Sequence, residues 1–146
     1  MRWWLDEGNE WTFDDIVEYI SEFDTVYVGC DSKYYSSSTR FAIAIAVYHN
    51  PCVTYWYTKE KDPNMTRAIP HRLWTEVEKA IDIAMKIQTR LPDIKIEVHC
   101  DINSDDKFPS SKLNQSAMGY VSGCGFIYRS KPSAWCASGC ADGHTR

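Results

Sequence analysis

No apolar stretch in this chain approaches the roughly 18 residues that a membrane-spanning helix needs, and Met1-Arg-Trp-Trp-Leu-Asp-Glu lacks the long apolar region of a signal peptide. Contact with a membrane is not expected, and a cytoplasmic location is. An excess of positive charge is missing as well. The formal net charge is -4, so there is no global basic field for a polyanion, and any grip on nucleic acid must come from local patches. Glycine and proline are too few, at 7 and 6 residues, for a low-complexity or collagen-like chain. Internal repeats and linkers are also lacking. The six cysteines, at 30, 52, 100, 124, 136 and 140, show no secreted spacing, and several sit inside apolar runs. Reduced core thiols are therefore expected rather than a disulfide framework. What remains is a chain of 146 residues, the size of a single domain that buries a sizeable core.

Two alternating runs stand out. Thr25-Val-Tyr-Val-Gly-Cys-Asp31 and Ile94-Lys-Ile-Glu-Val-His-Cys-Asp101 each read as a strand closing on an aspartate. Alternation puts the aspartates on the face opposite Val26, Val28 and Cys30 in one run and Ile96, Val98 and Cys100 in the other. Strands laid side by side would bring both carboxylates together. Adjacent carboxylates repel unless one is protonated or a cation lies between them, and divalent metals supply that charge through oxygen ligands.

Around these runs the remaining elements can be placed. Thr12 caps a helix running to about Phe23, with Asp15 in the capping-box position. After the strand to Asp31 come a polar turn, a buried strand over Phe41-Ala-Ile-Ala-Ile-Ala-Val-Tyr48, the turn His49-Asn-Pro-Cys52, and a strand over 53–59. From Thr66 to Arg90 apolar residues recur at helical spacing, and Pro92 ends the helix. Beyond Asp101 the pattern predicts a helix from Ser110 to about Ser122, a strand over Gly125–Arg129 and a third helix from Ser133 onward. The order is α/β: three antiparallel strands, then helix-strand-helix-strand-helix, giving a mixed five-stranded sheet with right-handed crossovers. One domain spans 1–146. Glu76 lies at the border of the long helix's apolar stripe and so faces the sheet, whereas Glu78 points to solvent. Asp142, just past Ala137 and Ala141 on the last predicted helix, is a fourth candidate carboxylate.

This layout resembles the ribonuclease H superfamily, and the local motifs resemble its YkuK branch of predicted nucleases. The matching segments are Trp11-Thr-Phe-Asp-Asp-Ile-Val, Val28-Gly-Cys-Asp-Ser, Leu73-Trp-Thr-Glu-Val-Glu, Val98-His-Cys-Asp-Ile-Asn, and Gly119-Tyr-Val-Ser-Gly-Cys-Gly-Phe, running on to Lys131-Pro-Ser-Ala-Trp and Ala141-Asp-Gly-His-Thr. The chain departs from the branch's pattern at Gly139, where a histidine is usual, and at Gly143, where a basic residue is usual. The resemblance implies catalytic metal carboxylates at Asp31, Glu76, Asp101 and Asp142, holding two Mg²⁺ or Mn²⁺ ions, with RNA or DNA as substrate. The expected activity is metal-dependent phosphodiester hydrolysis. Ser32, Asn103, Lys112 and His144 are the expected substrate contacts.

Basic residues lie close to these acids along the chain: Arg67, His71 and Arg72 at the start of the long helix, Lys107 and Lys112 after the Asp101 loop, and Arg129 and Lys131 on the last strand. Lys112 is the better phosphate candidate, because Ser110-Ser-Lys112 opens a helix whose backbone N–H groups favour anions. Cys136, Cys140 and His144 share helical i, i+4, i+8 spacing that suits zinc, but a fourth local ligand is missing. The competing reading of the whole chain is a catalytically weak or inactive module that binds nucleic acid or protein on the same fold.

Overall fold

The computed structural model describes residues 1–6, 8–63, 69–105, 107 and 111–145. Its frame is one seven-stranded sheet. In chain order the elements are β1 (Trp3–Leu5), β2 (Glu10–Trp11), α1 (Phe13–Ile20), β3 (Thr25–Tyr35), β4 (Ser38–His49), β5 (Cys52–Asp62), α2 (Ile69–Arg90), β6 (Lys95–Asn103), α3 (Ser111–Gly123) and β7 (Ile127–Lys131). A π-helical turn, Cys136–Ala141, and a 3₁₀ turn, Asp142–His144, follow. The spatial order is β2-β1-β5-β4-β3-β6-β7. Pairing is antiparallel from β2 to β3 and parallel for β3 with β6 and β6 with β7. The mixed α/β sheet is the expected one, with two strands more than the five anticipated.

Those two strands form an N-terminal hairpin in which Trp3 pairs with Trp11 and Trp4 with Tyr57 of β5. The signal for it was Gly8-Asn9 between two aromatic runs, a turn whose Gly8 takes a φ of 102°. The first helix stops at Ile20, short of Phe23. Ser21 donates its hydroxyl to Glu18 O at 2.6 Å and competes for the backbone acceptors there. Thr12 does cap the helix, accepting from Asp15 N at 3.1 Å. The starts expected at Thr66 and Ser110, and Arg67 with them, lie outside the described residues.

The doubly apolar β4 explains how the sheet carries two layers. Phe41, Ile43, Ile45 and Val47 point into the main core with Val26, Val28, Ile96, Val98 and the inner face of α2. Ala42, Ala44 and Ala46 point the other way, against Cys136, Cys140 and Ala141 of the terminal turns. Large residues alternate with small ones because a helix fills one face and a closely seated turn the other. Gly29 of β3 sets how closely. A Cβ there would lie 2.5 Å from Ala137 N and 2.7 Å from the Cys136 carbonyl carbon.

The third helix is thus a correction: Cys136–Ala141 winds with the wider π pattern and Asp142–His144 with the tighter 3₁₀ pattern. His99 of β6 explains part of this. Its Nδ1 accepts the Cys136 backbone N–H at 3.1 Å, a tertiary bond that satisfies the amide where the π turn begins. The i, i+4, i+8 face drawn for an α-helix consequently does not form. All six cysteines are free thiols, four of them buried. Among the described residues, no helix is long and apolar enough to cross a membrane.

Candidate functional site

The parallel ladder of β3 and β6 runs in register from Thr25↔Lys95 to Cys30↔Cys100. Asp31 and Asp101 are the next residues on each strand, where that register ends. Both lie on the sheet face that carries the terminal turns, because Val28, Cys30, Val98 and Cys100 occupy the core face. Neither strand stops at its aspartate, as the sequence pattern suggested: β3 runs on to Tyr35 and β6 to Asn103. The carboxylates therefore sit inside long strands, at the fork where the pair separates.

Glu76 approaches from α2 on the opposite face and is 4% exposed. Ser32, the residue after Asp31, points toward α2 and donates its hydroxyl to Glu76 Oε2 at 2.5 Å. This is a support for a carboxylate rather than the substrate contact expected of Ser32. Asp142 comes from the 3₁₀ turn and hydrogen-bonds the Asp31 carboxyl. Asp31, Asp101 and Asp142 thus lie about the fork on one face, and Glu76 approaches it from the other.

The electrostatics follow from crowding. Burial raises the Asp31 carboxyl, the Asp142 hydrogen bond raises it further, and the charges of Asp101 and Asp142 add to the effect, to about 7. Burial and the neighbouring carboxylates thus favour the protonated form of Asp31. Burial also raises Glu76 well above the carboxylate range; the Ser32 bond and the Arg72 charge oppose the shift, and Asp31 and Asp101 reinforce it. Lys131 Nζ lies 2.9 Å from Asp101 Oδ1. That oxygen is buried and, among the described residues, has no aligned hydrogen-bond donor, so the contact is an ion pair without hydrogen-bond geometry. Lys33 Nζ lies 4.0 Å from Asp142 Oδ1.

Whether these residues suit a divalent ion can be judged from that chemistry. All four groups are hard oxygen donors, two are held against ionisation, and one presents a buried oxygen without an aligned donor. Such a donor set fits Mg²⁺ or Mn²⁺. Among the described residues, however, no three acidic, histidine or cysteine side chains stand in a ligating arrangement. Charge at the fork is instead reduced by the raised pKa values of Asp31 and Glu76 and offset by Lys131 and Lys33.

Other expected contacts fall elsewhere. Asn103 closes β6 opposite Lys131 of β7 and lines a cavity of about 470 Å³ with it. Lys112 is exposed on α3 and, among the described residues, makes no ion pair with the carboxylates. His144 is turned away from the fork: its ring stacks on Tyr57 at 3.6 Å and 8°, and its Nε2 lies 2.8 Å from Tyr55 Oη. Tyr55 donates its hydroxyl to Asp6, so His144 Nε2–H is the donor to Tyr55. Burial lowers the His144 pKa, and Lys59 adds to the effect while Asp6 opposes it. His144 is thus a neutral clamp on the terminal turn, not a free terminal imidazole. With Cys136 and Cys140 buried against Ala44, the zinc set does not assemble. Patterning missed His99 as part of this site, and it placed Lys131 near the acids without naming Asp101 as its partner; the apolar spacing that reveals a strand says nothing of what its polar face holds.

An α/β domain with an acidic fork between parallel strands of a mixed sheet is the class that fold and site define. Over residues 12–146 the chain matches the ribonuclease H-like family, and it belongs to that family. No curated protein and no solved structure matches it.

Proposed function

We propose that this ribonuclease H-like protein is a metal-dependent nuclease that hydrolyses phosphodiester bonds of RNA or DNA. The observation that supports the reading is that Asp31, Asp101 and Asp142 lie about the fork while Glu76 approaches from the other face, with burial and mutual repulsion favouring protonation of Asp31 and Glu76. Structural acids do not need such an arrangement, since each would be less costly alone and solvated. Two Mg²⁺ or Mn²⁺ ions held by these four carboxylates would supply an activated water and stabilise the leaving oxygen.

The chain's own groups have distinct parts. Asp31 lies between the other acids and is the group most of them touch or repel. Ser32 holds Glu76 in one orientation, and Arg72 offsets its charge. Asp142 brings its carboxylate on a turn fixed by His99 at one end and His144 at the other. Asp31 must release its proton before it can act as a charged ligand, so cation uptake releases acid.

A second reading, a binding module without catalysis, is favoured by the lysines on Asp101 and Asp142 and by the lack of a ready-made ligating trio among the described residues. One experiment separates them. Purified protein is incubated with end-labelled RNA, DNA and hybrid, with Mg²⁺, Mn²⁺ or chelator. Metal-dependent cleavage that Asp101→Asn abolishes supports the nuclease. Retention of a labelled strand without cleavage in any metal supports the module.

A further inference from the structure

The cavity beside the fork is lined by Asn103, Ser104, Asp105, Lys131, Pro132 and Ser138 and has a volume of about 470 Å³. Lys131 belongs to both places. Its ammonium lies 2.9 Å from Asp101 Oδ1, while its side chain, 39% exposed, also lines the cavity. The backbone favours this double position: the β6–β7 ladder is irregular between His99 and Asn103 and resumes with Asn103 opposite Lys131. That break sets Lys131 beside the strand segment that begins with Asp101.

Resting on the nuclease reading, we infer that Lys131 is an exchangeable counter-ion. It neutralises Asp101 in the cation-free protein, and it turns to a substrate phosphate in the cavity when the carboxylates take up a divalent cation. The buried Asp101 Oδ1 has, among the described residues, no aligned donor, so the ammonium compensates its charge without a directed bond and is released at little geometric cost. The other groups around the cavity suit an anion. Asn103 carries an amide and Ser104 a hydroxyl, and among the described residues the lining carboxylate, Asp105, already accepts from Lys107 N at 3.1 Å, with Lys107 Nζ at 3.8 Å. Ser138 already donates its hydroxyl to Ala134 O at 3.0 Å, so the donors to an anion are Lys131 and its other neighbours rather than Ser138. The ligand class is a phosphodiester of the strand being cut, one position from the fork. Lys33, at the longer distance of 4.0 Å from Asp142, provides the contrast.

The test uses full-length protein with Lys131→Met, Lys131→Arg and Lys33→Met. Mn²⁺ affinity is measured by calorimetry. Binding of a fluorescein-labelled single-stranded DNA oligonucleotide is measured by anisotropy, with Ca²⁺ in place of Mn²⁺. Lys131→Met is expected to bind Mn²⁺ roughly threefold to tenfold tighter, the range that loss of one partly exposed ion pair implies, and to bind the DNA weaker by a similar factor. Lys131→Arg stays near wild type in both, and Lys33→Met gains less for Mn²⁺. A merely structural lysine would not move the two affinities in opposite directions. Unchanged or weaker Mn²⁺ binding by Lys131→Met, or an equal gain for Lys33→Met, overturns the counter-ion role while leaving the metal site standing. Unchanged DNA binding overturns the phosphate role. A wild-type protein that binds no Mn²⁺ removes the nuclease reading and this inference together.

Discussion

Asp31 bears most of the cost of bringing acids together, and its pH behaviour exposes that cost. With its pKa raised to about 7 from near 4 in the unfolded chain, the native state holds a proton that the unfolded state loses between those values. Stability therefore falls as pH rises through that window, and the penalty is complete above it. Asp31→Asn mimics the protonated acid. Without metal, it should be more stable than wild type at pH 8, by on the order of 2 kcal/mol, with the gap closing near pH 4. Denaturant melts across pH check this; a gap that persists at pH 4 would mean that the gain has another origin. Asp142 is the neighbouring carboxylate. If it completes a two-ion site, Asp142→Asn should lose most activity while one Mn²⁺ still binds tightly, which calorimetry resolves. Near-normal cleavage by that variant would leave a three-carboxylate site of Asp31, Glu76 and Asp101.

Among the elements, the terminal turns decide where Asp142 lies, and Gly29 decides where the turns lie. Gly29→Ala puts a methyl group 2.5 Å from Ala137 N, against backbone that has no rotamer by which to yield. We expect a loss of about 2 kcal/mol or more, accompanied by weaker Mn²⁺ binding, since the displaced turn carries Asp142. Equal Mn²⁺ affinity in folded Gly29→Ala and wild-type samples, compared by calorimetry below the melting transition, would separate the turn from the site. Gly29 also shows what a sequence conveys. Strand alternation placed Asp31 and Asp101 on one face, and helix phasing turned Glu76 inward, because burial leaves a periodic trace. The Ala42, Ala44 and Ala46 set was visible as a doubly apolar strand, yet nothing in it specified a π turn. That turn depends on His99 accepting the Cys136 amide and on a missing Cβ at Gly29, contacts between residues far apart in the chain. The N-terminal hairpin was missed for a different reason: strands of three and two residues are too short for alternation to register. Lys131 could be read as basic but not as the partner of Asp101, because a charge pair across β6 and β7 has no period.

The molecule as a whole is acidic, with a net charge of -4, and places further acid at its proposed working end. Cation binding should therefore contribute to folding. Mn²⁺ at about a hundredfold excess over Kd should stabilise wild type by roughly 3 kcal/mol, and Asp31→Asn and Asp101→Asn by much less. Equal shifts in all three would sink the assignment of these carboxylates as ligands.

The hairpin formed by β1 and β2 contributes no carboxylate to the fork and lies almost wholly before residue 12, where the family match begins. Asp6, which follows β1, nevertheless accepts the Tyr55 hydroxyl, and Tyr55 in turn receives His144, two residues past Asp142. A chain trimmed to start at Thr12 would keep every proposed ligand and the whole family core. It would also have cut the tether that holds one of those ligands in place. Its defect would resemble a damaged active site although no active-site residue had been touched.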